Sequence, residues 1–88
     1  MKVGISKRCQ KDIETVSDRK LAAQLYDHIE QLEKSESLEG LPNLKRMKGA
    51  TDYFRLRIGN YRLGFKQEND AVVLLRFMHR KDIYRYFP

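Results

Sequence analysis

The run Tyr53-Phe54-Arg55-Leu56-Arg57-Ile58, the dipeptide Gly59-Asn60 and the run Tyr61-Arg62-Leu63-Gly64-Phe65-Lys66 alternate residue by residue on both sides of a turn. That pattern predicts the two strands of a β-hairpin. Successive side chains of a strand point to opposite faces. Phe54, Leu56 and Ile58 then share one face with Tyr61, Leu63 and Phe65. Tyr53, Arg55 and Arg57 share the other with Arg62, Gly64 and Lys66. One face is apolar and must be covered. The other turns four cations to solvent, a surface suited to a polyphosphate chain.

The rest of the chain must supply the cover. With 88 residues it is expected to form one domain, residues 1–88, around one core. An apolar fraction of 41% argues against disorder. No run approaches the roughly 18 apolar residues that span a bilayer, and the N-terminus has no apolar signal core. No membrane association is therefore expected. Cys9 is the only cysteine, which excludes an internal disulfide and fits a cytoplasmic location. Cys9, His28 and His79 match no zinc spacing, so neither a metal nor another cofactor is expected.

Charge is concentrated rather than spread. Residues 1–43 carry a net of −1, whereas residues 44–66 hold seven Lys/Arg against one Asp/Glu, and residues 76–88 add +3. A basic surface confined to the hairpin and the tail suits nucleic acid, an acidic protein segment, or both.

Taken in order, residues 2–5 predict a short strand. Ser6 is placed to cap a helix over about 7–16, with Cys9, Ile13 and Val16 inward. Cys9 reads as a small core residue. Asp18 opens a second helix over about 18–34, with Ala22, Leu25, Ile29 and Leu32 as its buried stripe and His28 at the solvent edge. Residues 36–42 read as a loop whose Leu38 and Leu41, with Leu44 beyond it, pack on the body. Residues 44–48 approach the sheet. After the hairpin, Gln67 to Asp70 turn into Ala71–Met78, an apolar run fit for a central strand buried on both faces. Residues 81–87 read as a short helix or turn. The expected class is α+β: two N-terminal helices packed on a mainly antiparallel sheet, with a short C-terminal helix.

Three segments on this plan, Leu44-Lys45-Arg46-Met47-Lys48-Gly49, Tyr53 to Leu63, and His79-Arg80-Lys81-Asp82-Ile83-Tyr84, resemble the RelE/ParE superfamily of type II toxin–antitoxin toxins. The resemblance spans nearly the whole chain. Its specific parts are the Arg-x-Arg-x-Gly-x-Tyr-Arg segment and the terminal His-Arg-x-x-x-Tyr. The RelE-like branch implies a metal-free endoribonuclease, an mRNA interferase that cuts mRNA in the A site of the 30S ribosomal subunit by 2′-OH attack and so inhibits translation. It implies a cognate antitoxin as partner.

What the resemblance implies for residues is specific. Arg62 falls at the family's phosphate-binding arginine, Arg80 at its second catalytic arginine, and Tyr84 at its C-terminal tyrosine. Arg55 and Arg57 fall at its paired basic positions on the sheet. Beside these, Lys45 and Lys48 of the basic segment, and Tyr53, which shares parity with Arg55, are further candidates for RNA contact. Some relatives carry lysine at the paired positions. An arginine, with a pKa above about 12, cannot act as a base. Two roles are then open to His79, proton transfer or a hydrogen bond that ends the last strand. The superfamily hosts more than one activity. The alternative is a ParE-like toxin without nuclease activity that inhibits DNA gyrase.

Overall fold

A computed structural model describes residues 1–49 and 51–87. Its elements are β1 (Lys2–Ile5), α1 (Lys7–Glu14), α2 (Arg19–Lys34), β2 (Leu44–Arg46), β3 (Tyr53–Ile58), β4 (Tyr61–Glu68), β5 (Ala71–His79) and α3 (Arg80–Tyr86). The starts of α1 and α2 follow from local chemistry. The Ser6 side chain accepts from the Cys9 N–H, and Asp18 accepts from the N–H groups of Lys20 and Leu21, which satisfies donors the helix itself leaves open.

The five strands form one sheet in the order β1-β5-β4-β3-β2. Strands β2 to β5 make the expected antiparallel meander, and β1 adds to β5 in parallel. The central strand is thus β4, and β5 is its inner neighbour. Burial along β5 alternates, with Val72, Leu74 and Phe77 on the covered face, rather than running continuously as expected. The intervening side chains, Ala71, Val73 and Arg76 among them, are only half-buried, and Arg76 takes Asp12 of α1 as its partner. The register slips at Gly64/Phe65, where Leu75 is the extra residue of β5.

The apolar face of the hairpin is covered as its pattern requires. Phe54, Leu56, Ile58, Leu63 and Phe65 share one cluster with Leu21, Leu25, Ile29 and Leu32 of α2, and with Cys9. The α2 stripe starts at Leu21 rather than Ala22: Leu21, Leu25 and Ile29 follow at i, i+4 and i+8, and Ala22 is half-buried beside them. Leu38 is buried in the same cluster, and Leu41 and Leu44 pack against it.

The second face is not left bare. Helix α3 lies across it. Ile83 is buried and Phe87 is 4% exposed. Gly64 makes this possible: a Cβ there would stand 2.8 Å from Phe87 ring carbons. The glycine is a niche for the ring, which also meets Tyr53 at 5.9 Å. Asp12 bonds Arg76 through Nε (2.9 Å) and Nη2 (3.1 Å) and also accepts from the Phe77 N–H, tying α1 to β5. Tyr86 stands 5.9 Å from the Arg76 guanidinium.

Candidate nucleic-acid interface

The hairpin turn sets the site. Gly59 has φ +59, the left-handed region that the first position of a tight two-residue turn needs. The turn then holds two cations by its backbone. Arg62 Nη1 donates to the carbonyls of Gly59 (3.0 Å) and Tyr61 (2.9 Å). The Asn60 carbonyl accepts from the Arg80 N–H at 2.8 Å, which fixes the start of α3 beside the turn.

The β3–β4 register puts Arg57 opposite Arg62 and Arg55 opposite Gly64, all on one face. Across β2, Lys45 pairs with Arg55. Together Asn43, Leu44, Lys45, Arg55, Arg57 and Arg62 line one open cavity. A second cavity adjoins it, sharing Lys45 and Arg55 and adding Lys48, Tyr84 and Phe87. Among the described residues no acidic side chain lines either one.

The electrostatics follow from this crowding. The Arg62 guanidinium is held below the ordinary arginine range, first by partial burial and then by the charges of Arg57, Arg55 and Arg80. It stays charged, but under repulsion that an anion would relieve. Arg55 carries a second sign of an unmet partner. Its Nη1 is buried and makes no hydrogen bond among the described residues, while its guanidinium lies 4.7 Å from the Tyr84 ring centroid. An unpaired guanidinium N–H is costly unless a ligand completes it. Tyr84 itself is 63% exposed, so one ring face lies on Arg55 and the other is open.

The site therefore gathers Arg55, Arg57, Arg62, Lys45, Lys48 and Tyr84, with the charge of Arg80 felt at Arg62. Three residues named from sequence stand elsewhere. Lys66 pairs with Glu68 at 3.3 Å, so the face does not show four free cations. Tyr53 is half-buried between Phe87 and Lys66. His79 pairs with Tyr61 in the β4–β5 register, on the side opposite Arg62, and its ring meets Tyr61 at 5.6 Å. Its Nδ1 accepts from the Lys81 N–H at 3.1 Å. His79 is thus the N-cap of α3, and the β4–β5 register turns it to the face opposite Arg62. Sequence reasoning missed Asn43, which lines the same cavity; its signal is the Pro42-Asn43 turn before β2.

Comparison with known proteins identifies the family and the fold. Residues 3–84 match the sequence profile described as the ParE toxin of type II toxin–antitoxin systems, parDE. The chain is 38% identical over 89 residues to Toxin RelE3 of Methanocaldococcus jannaschii, covering 100% of both. It superposes on a chain of the RelB-RelE antitoxin–toxin complex from Methanococcus jannaschii with a TM-score of 0.82 at 34% identity, covering 97% of this chain and 99% of that one. The YoeB dimer from Staphylococcus aureus shares the fold alone, with a TM-score of 0.74 at 17% identity over 90% of this chain and 95% of that one.

Proposed function

This chain belongs to the ParE toxin family of type II toxin–antitoxin systems, and from that premise we propose that it is a RelE-like endoribonuclease that cuts mRNA on the ribosome. The observation that carries the reading is the convergence of Arg55, Arg57, Arg62 and Lys45 on one open cavity without an acidic side chain. Four cations held against their mutual repulsion suit a polyanion, and RNA brings one phosphate per nucleotide. The similarity to a RelE toxin over the full chain supports the same branch.

Transfer of RNA through 2′-OH attack gives a 2′,3′-cyclic phosphate and a 5′-OH, and needs charge where the pentavalent phosphorane develops. Arg62 supplies it. Its planar fork can leave the turn carbonyls and donate two bonds to phosphate oxygens. Arg80 adds a second charge, and the His79 cap fixes the helix start from which it projects. Arg57 and Lys45 hold flanking phosphates, and Lys48 extends the track. Tyr84 offers its open ring face to a base and its hydroxyl to the leaving 5′-oxygen. The arginines cannot take the 2′-OH proton. The protein's share is positioning and charge, without a metal, and the proton leaves to RNA, ribosome or water.

The reading includes a cognate antitoxin. A relative is known in a RelB-RelE antitoxin–toxin complex. An acidic, partly disordered segment would be drawn to the basic groove and neutralise it.

Pulse labelling after induction in cells tests the function. Incorporation of amino acids should stop before that of thymidine. Thymidine incorporation failing first, with an SOS response, would favour inhibition of DNA gyrase instead.

A further inference from the structure

Among the side chains lining the Arg62 cavity, Asn43 is the one that can accept a hydrogen bond. Lysine and arginine only donate, and leucine does neither. A nucleotide presents both kinds of group: phosphate oxygens and ring nitrogens accept, whereas exocyclic amines and ring N–H groups donate. The cations satisfy the first set. Among the side chains of this cavity, Asn43 alone can answer the second.

The fold uses Asn43 through its backbone. Its φ is +65, in the left-handed region that asparagine tolerates better than most residues, and its carbonyl accepts from the Arg57 N–H at 3.0 Å. That bond locks the residue beside the cluster at the mouth of β2. The side-chain amide takes part in no hydrogen bond among the described residues and stays exposed at the cavity wall. A rigid backbone carrying an unused amide, beside groups that would hold a phosphate, is the arrangement needed to read a base edge.

From this geometry we infer that Asn43 is a specificity-determining residue, its amide pairing with the edge of one nucleobase in the bound mRNA. The inference rests on the RNA-cleavage reading above. Phosphate contacts set register and carry no sequence information, whereas a two-point amide–base contact discriminates.

The test varies each A-site nucleotide in turn in a purified translation system and measures relative cleavage rates. Wild type should favour one base at one position by about fivefold or more, the lower end for such a contact. Asn43→Gly removes the amide and fits a positive φ without strain. It should flatten that ratio to less than twofold. Asn43→Asp keeps two acceptors and loses the donor, so it should shift preference toward guanine, whose N1–H and N2–H both donate. Ratios between substrates do not depend on the folded fraction, so a weakened variant still reports. A wild-type ratio that survives in both variants, or no wild-type preference at any position, overturns the inference while leaving the nuclease reading intact. No cleavage of any substrate by wild type overturns both.

Discussion

Gly64→Ala should unfasten the C-terminal helix, and the effect can be worked from the niche itself. The new Cβ would stand 2.8 Å from three Phe87 ring carbons, a separation that Cβ contacts do not tolerate. The ring belongs to a residue 4% exposed. Expelling a buried phenylalanine costs about 1.5–3 kcal/mol. Alanine in place of glycine within a strand returns about 0.5–1 kcal/mol. The net loss should be about 0.5–2.5 kcal/mol, read as a lower urea midpoint by far-UV circular dichroism. Phe87→Ala should cost about 3 kcal/mol or more on its own. The decisive arm is the double variant. With the ring gone, Gly64→Ala has nothing to strike and should be neutral or stabilising by up to about 1 kcal/mol. If Gly64→Ala costs the same with and without Phe87, the niche is not why glycine stands there. Because the tail sets Tyr84 over Arg55, the single variant should also lose cleavage under conditions where it remains folded.

Other perturbations separate the remaining parts. Burial, with help from the Asp12 charge, pushes the Cys9 thiol up to about 12 from an ordinary 9.0. The folded state then keeps a proton that the unfolded chain loses, so this stability is full below pH 9 and is lost as pH rises toward 12. Cys9→Ala should flatten the alkaline fall by at most about 1.4 kcal/mol per pH unit, measured by urea titrations at several pH values; an unchanged slope would refute it. Asp12→Ala removes three hydrogen bonds and strands Arg76, so thermal unfolding should reveal a loss of about 3 kcal/mol. A loss under 1 kcal/mol would mean that α1 is held otherwise. Arg57→Ala should lower the slope of log affinity against log salt for RNA by about 0.7, one phosphate contact on a single strand; an unchanged slope would remove Arg57 from the track. Tyr84→Phe keeps the ring on Arg55, and Tyr84→Ala does not. Loss of kcat by about 100-fold in Tyr84→Phe would assign the hydroxyl to proton transfer, whereas near wild-type rates would leave stacking as its role.

What could be read from the sequence was what neighbours along the chain decide. The hairpin faces, the Ser6 and Asp18 caps and the α2 stripe from Leu25 onward are local patterns of period or spacing, and the structure keeps them. The parallel pairing of β1 with β5 was not legible, since it joins segments about seventy residues apart. Nor was the covering of the basic face by α3. Alternation says which face a side chain takes, but not that Gly64 leaves room for Phe87. His79 shows the limit most directly. Sequence leaves two roles open to it and does not say which face its ring takes. Strand parity turns its ring to Tyr61, and the helix start claims its Nδ1. Asn43 was passed over because nothing in its neighbourhood along the chain links it to Arg62; only the β2–β3 pairing does.

Primer extension on a defined mRNA in a purified translation system, with wild type and Arg62→Ala, measures the proposed activity at the cut itself. Wild type should give cuts only at the codon held in the A site, leaving 5′-OH ends, and Arg62→Ala should abolish them while remaining folded. Intact mRNA with folded, antitoxin-free wild type would contradict the nuclease reading and direct the next assay to gyrase supercoiling. Wild-type cuts that persist undiminished in Arg62→Ala would take the reaction away from this cluster of arginines.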